Sequence, residues 1–188
     1  MPSASMERAL KLAVVTGLRA ALGPALIARS QNRPEQQHLA LAALGEMVFD
    51  KLPFVPGRDT LPSLIARGLS SAWVASKCVE GEHEGRGEAA DPWTVPLAAA
   101  VAVGVAVAAP KLRRSLGWTL RIPQPVLGLL EDYLALRLGS EAVGLSMDQV
   151  SETAKASVAD LRERFEHDGV AALGVPRGWA QSIGAGSM

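Results

Sequence analysis

Four carboxylates interrupt otherwise apolar sequence, and these are the side chains best placed to do chemistry. Glu46 and Asp50 are four residues apart at the end of the apolar run Leu39–Phe49. That spacing puts both on one face of a helix. Glu131 and Asp132 are adjacent inside a second apolar block, Pro125 to Gly139. A carboxylate among apolar helices needs a protein partner, a water-filled cavity or a cation. Arg19 and Arg67 lie within apolar stretches of their own and are the counter-charges available to the first pair; Arg113 or Arg137 could serve the second. Two readings follow. In one, Glu46, Asp50, Glu131 and Asp132 form a polar pathway that binds a cation or relays protons. In the other, they are halves of ion pairs that fix helix register. For Asp50, beside Lys51 and Pro53, a place at a membrane edge is favoured.

Other groups carry less. Glu82-His83-Glu84 has metal-binding residue types, but a solvated acidic loop is the favoured reading there. His38 opens a helix at an interface. The single cysteine, Cys78, excludes an internal disulfide and a cysteine-rich zinc site, and with no local base it reads as a packing residue. No P-loop, dinucleotide fingerprint or HExxH motif is present. No catalytic residue, metal site or cofactor is therefore assigned, and an enzyme ranks behind a transporter or a scaffold. The 19 basic and 19 acidic residues lack the surplus of a general nucleic-acid binder.

The elements that must hold these charges are helices. Prolines divide the first 140 residues into five blocks rich in alanine, leucine and glycine: Met6 to Ser30, Pro34 to Pro53, Pro62 to Val79, Pro92 to Pro110, and Pro125 to Gly139. No strand alternation is visible, so the body is all-α. A membrane-spanning helix needs roughly 20 mostly apolar residues. The fourth block, 19 residues without a charge, qualifies outright. The first and third are long enough, each with one central arginine. The second and fifth have shorter apolar runs, suited to full spans with polar ends or to re-entrant segments. The expected architecture is a polytopic membrane bundle of four to five hydrophobic segments. A soluble bundle with one very apolar helix is the competing reading. The Glu80–Asp91 connection is acidic, whereas Lys111, Arg113, Arg114 and Arg121 follow the fourth block. The positive-inside rule places the second group in the cytoplasm, with the N-terminus on the same side. The side holding the C-terminal tail stays open. Small residues four apart, Ala100/Gly104/Ala108 and Gly68/Ala72/Ser76, would let helices approach closely. Trp73, Trp93 and Trp118 suit interfacial anchoring.

Charge also marks the domains. Residues 1–140 hold 15 basic and 12 acidic residues; residues 141–188 hold 4 and 7. The reading is a membrane domain (1–140), an amphipathic soluble helix (141–170) and a loosely ordered end (171–188). Ser146 and Gln149 make a capping box, Gly169 a stop, and Val150, Ala154, Val158, Leu161 and Phe165 an apolar stripe. Mean hydropathy is only +0.17 because these polar parts dilute the apolar blocks.

Leu41-Ala42-Ala43-Leu44-Gly45-Glu46 parallels Leu127-Gly128-Leu129-Leu130-Glu131-Asp132, a weak sign of duplicated halves. The run GEMVFDKLPFVPGRDTLPSLIARGLSSAW, with TGLRAALGP before it and LLEDYLA after it, resembles a family of small bacterial integral-membrane proteins, domain of unknown function 4126. The resemblance spans about residues 8–138 and rests on Glu46, Asp50, Lys51, Pro53, Arg58, Arg67, Ser71, Glu131 and Asp132 together. It implies residence in the bacterial inner membrane and carries no catalytic role. The tail lies outside it. The leading expectation is an oligomeric membrane protein with a polar pathway for an ion or small solute. The alternative is a non-transporting membrane scaffold whose C-terminal helix recruits a protein partner or mediates oligomerisation. The expected partners are the lipid bilayer and further copies of the chain, with no nucleic acid.

Overall fold

The computed structural model describes residues 3–49, 60–86 and 91–172. Within them the chain forms seven helices and no strand. They are α1 (Ala4–Leu18), α2 (Leu22–Ser30), α3 (Gln36–Phe49), α4 (Leu61–Arg86), α5 (Thr94–Leu120), α6 (Gln124–Val143) and α7 (Met147–Ala172).

The short helix α1 is the axis. It packs against α2, α4, α5 and α6, burying Ala9, Leu12, Ala13, Val15, Thr16 and Gly17. Gly68 on α4 faces Val103, and Ser71 donates to the carbonyl of Ala98 at 2.9 Å. These two contacts run α4 and α5 antiparallel. Gly117 lies against Gln124 and Leu127, and Gly128 against Arg113, so α5 and α6 form a second antiparallel hairpin. One apolar cluster joins Leu12, Ile27, Val74, Cys78 and Ala98. Another joins Val15, Leu22, Leu26, Ala43 and Ala135.

Several boundaries differ from the sequence reading. The first block is two helices, α1 and α2, rather than one. Gly23-Pro24 gives the reason: in a continuous helix the Pro24 ring would strike the carbonyl of Ala20. In α2, Pro24 sits in the first turn, where backbone N–H groups have no helical partner in any case. Helix α4 continues through Glu80–Arg86, so the acidic connection is in large part helical. Helix α5 runs through Pro110 to Leu120 and carries the basic cluster on its last turns. Helix α6 passes Gly139 and ends at Val143 under a left-handed Gly144. Residues 50–59, with Asp50, Lys51, Pro53 and Arg58, lie outside the described residues, as does most of the 171–188 segment.

The small-residue ridge on α5 is corrected. Ala98, Ala102 and Ala106 are buried, whereas Ala100, Gly104 and Ala108 are exposed. On a helix of alanines the two ridges look alike in sequence. The partners Ser71 and Gly17 select the one that packs. The α4 ridge Gly68/Ala72/Ser76 does turn partly inward.

The tail helix begins with the expected capping box: Ser146 Oγ accepts from Gln149 N at 3.2 Å, and Gln149 Oε1 accepts from Ser146 N at 2.9 Å. It does not stop at Gly169 but runs to Ala172. Its apolar stripe divides. Val150 and Ala154 turn toward α2 and α3, joined by the buried Ser157, while Val158 and Leu161 are exposed.

The outer surface carries apolar stripes. Leu61, Ile65, Leu69 and Trp73 form an exposed stripe along α4, and Val126, Leu129, Leu130, Tyr133 and Leu134 an exposed face on α6. Helix α5 is long and apolar enough to cross a membrane, alone among the described residues. Only 17% of its apolar stretch is buried in the protein.

Candidate functional site

The break between α1 and α2 gathers the charges. Helix α1 ends at Leu18, Arg19 is extended (φ −139°, ψ 105°), and α2 starts at Leu22. A break exposes helix carbonyls on one side and helix N–H groups on the other. Both sets must find partners away from water. Here α3 and α4 each supply an ion.

Glu46, from α3, accepts from the backbone N–H of Ala20 through Oε1 and of Ala21 through Oε2, both at 2.9 Å. The carboxylate thus sits at the positive end of the α2 dipole. Arg67, from α4, donates through Nη1 to the carbonyls of Gly17 at 3.0 Å and Thr16 at 3.4 Å. The guanidinium sits at the negative end of the α1 dipole. The two ions are themselves joined, Arg67 Nη2 to Glu46 Oε1 at 3.0 Å. Favourable dipole placement contributes about 0.3–1 kcal/mol each, and up to about 2 kcal/mol where partly buried.

Arg19 leaves the break on the other side. Its Nε donates to Asp132 Oδ1 on α6 at 2.7 Å, and its Nη2 bonds the same oxygen. Arg19 is 2% exposed, Arg67 3% and Asp132 6%. The four charges sum to zero, which is what makes their burial tolerable: an unpaired ion here would cost several kcal/mol. Glu131, one residue away, turns from the break to Arg113 at 3.3 Å.

Two glycines make the geometry fit. A Cβ on Gly17 would lie 2.6 Å from the carbonyl oxygen of Ala102 and 2.7 Å from Val105 Cβ. A side chain there would push α5 off the end of α1. A Cβ on Gly23 would lie 2.0 Å from Thr16 Oγ1, whose hydroxyl donates to Leu12 O at 2.8 Å. The two half-helices can fold against each other only if position 23 has no side chain.

Of the residues singled out in the sequence, Glu46, Asp132, Arg19 and Arg67 converge on the break. Glu131 is close in sequence but belongs to a separate pair. The expected assignment of both arginines to the first acidic pair is corrected: Arg67 serves Glu46, and Arg19 crosses to Asp132. Sequence depth could not distinguish these, because the choice depends on how α6 packs beside α1. Glu46 and Asp132 are equivalent positions in the two parallel hexapeptides, and they reach the same break from opposite sides. The backbone N–H groups of Ala20 and Ala21 and the carbonyls of Thr16 and Gly17 were missed; Gly23-Pro24 is the signal that could have located them.

The arrangement can hold a helix end fixed by charge. With its ions exchanged or opened, it could also present N–H donors to an anion or carbonyls to a cation. Among the described residues, no three His, Cys, Asp or Glu side chains converge as a metal site would require. Comparison with protein-family models, with curated proteins and with solved structures yields no match.

Proposed function

We propose that the chain is a polytopic helical membrane protein of the bacterial inner membrane, and that it acts as a scaffold rather than a conduit. The observation that carries this reading is inverted polarity. Arg19, Arg67 and Asp132 are inside, while Leu61, Leu69, Leu112 and Leu129 are outside, each at least 57% exposed. A protein in water hides such side chains, whereas one in lipid hides its ions. Trp93 and Lys111 support the same reading. Both are exposed and stand at the two ends of the uncharged stretch of α5, 18 residues and about 27 Å apart at 1.5 Å per residue. That distance is close to a hydrocarbon core about 30 Å thick, with an aromatic at one edge and a basic cluster at the other. The resemblance to domain of unknown function 4126 points the same way.

The closed ion pairs favour the scaffold over the pathway. Glu46, Glu131 and Asp132 each rest on a guanidinium, as register-fixing pairs do. The apolar faces of α4 and α6 and the exposed Val158 and Leu161 of α7 are the surfaces for further copies or a partner helix. A second reading, transport of an ion or small solute, has one observation in its favour: discontinuous helices are what transporters place at their substrate sites. In proteoliposomes under proton, sodium or potassium gradients, the scaffold gives no flux above that of empty vesicles. Flux that Glu46→Gln abolishes would replace the scaffold with the pathway. Recovery of the chain in the soluble fraction without detergent would overturn membrane residence.

A further inference from the structure

Beside the charged break lies an open chamber between α2, α3, α6 and α7, with a volume of about 170 Å³. Its walls include Leu26, Ala43, Met47, Leu136, Val150 and Ala154, and they are almost wholly apolar. Its outer edge is formed by Arg29 and Thr153, and these two residues also line an adjoining polar recess with Gln36, Gln37 and Glu152. An apolar chamber and a polar mouth therefore share one rim.

One feature of the mouth is incomplete. Arg29 donates through Nε to Thr153 Oγ1 at 2.8 Å and through Nη1 to Asn32 Oδ1 at 3.2 Å. It forms no ion pair with a carboxylate among the described residues, unlike the arginines at the break. Glu152 is exposed to solvent rather than seated on the guanidinium.

We propose that this double cavity binds a single-chain amphiphile with an anionic oxygen head, the tail in the chamber and the head on Arg29 at its rim. A cavity of roughly 150 Å³ admits benzene, so the chamber takes a tail segment of about six carbons. A carboxylate or phosphate head supplies the counter-charge that Arg29 lacks among the described residues. Charge-assisted hydrogen bonds give the head its selectivity. The chamber depends on the packing of α7 and not on the scaffold reading of the break.

The test uses the full chain in phosphatidylcholine nanodiscs and octanoate carrying a terminal diazirine. Photolabelling is expected to saturate, to map to peptides of α3, α6 and α7, and to be displaced by octanoate. Octyltrimethylammonium, the same tail with a cationic head, should compete at least about tenfold less well, as one charge-assisted contact implies. Arg29→Gln should erase that preference while leaving circular dichroism unchanged. Ala154→Phe, at a half-buried position of α7, should fill the chamber and abolish labelling in a protein that still unfolds cooperatively. Labelling spread over the exposed faces of α4 to α6, competition indifferent to the sign of the head, or full labelling of Ala154→Phe would overturn the proposal.

Discussion

Replacing Glu46 by glutamine asks whether charge holds the helix break. The carboxylate accepts from Ala20 N, Ala21 N and Arg67 Nη2, at 2.9, 2.9 and 3.0 Å. A carboxamide of the same size keeps one acceptor oxygen. Its NH₂ must then face a backbone N–H or the guanidinium, both of which are donors. At least one donor loses its partner, at about 1–3 kcal/mol. Arg67 also loses its counter-charge, and breaking a buried pair costs about 3–5 kcal/mol. The Glu46 side chain keeps 17% exposure, so water relieves part of the penalty. A total near 3 kcal/mol is expected, at the lower end of the buried-pair range. Equilibrium unfolding of the purified protein in mixed micelles measures it. A double-mutant cycle with Arg67→Met isolates the pair: the double variant should be more stable than the sum of the singles by about 1.5–3 kcal/mol, within the range seen for direct contacts. A Glu46→Gln cost below about 0.5 kcal/mol, the level of an ordinary surface change, or strict additivity in the cycle, would refute the reasoning.

Three further outcomes are expected. Arg19→Met or Asp132→Asn alone should lower unfolding free energy by about 3–5 kcal/mol, whereas Arg19→Met with Asp132→Leu should recover most of it, because an apolar pair leaves no stranded ion; the same micelle titration reads all three. Gly17→Ala should cost about 1–3 kcal/mol through overpacking against α5 and lower the melting temperature, while Gly104→Ala, where a Cβ meets nothing within 4 Å, should leave it unchanged or raise it. Ser146→Ala should cost about 1 kcal/mol and speed amide hydrogen exchange in the first turn of α7 without affecting α1–α2.

Much of the site was legible because charge in apolar sequence is conspicuous. Glu46, Asp132, Arg19 and Arg67 stand out for that reason, and so does the need of each for a partner. Their pairing was not legible. Arg19 lies 27 residues from Glu46 and 113 from Asp132, and only the placement of α6 beside α1 makes the distant partner the near one. The helix break was legible in principle, since Gly23-Pro24 forbids a continuous helix. It was obscured by the apolar run Leu12–Ile27, broken only by Thr16 and Arg19, because hydropathy is blind to a backbone turn. The α7 stripe shows the same limit: periodicity gave the helix and its cap, but not that Ser157 would be buried while Val158 and Leu161 stayed outside.

By itself the sequence determined the helical class, the apolar character of α5, the capping box of α7 and the charges that must be neutralised. These are local matters: periodicity, a 19-residue uncharged run, a Ser146–Gln149 spacing and the cost of burying an ion each act within a few turns. Only the tertiary structure decided which alanine ridge of α5 packs, which arginine meets which carboxylate, and that two carboxylates from parallel hexapeptides meet at one break. Those outcomes depend on several helices at once. A glycine at 17 brings α5 close, α6 then sets Asp132 against Arg19, and Glu46 is left with Arg67 and the open N–H groups of α2.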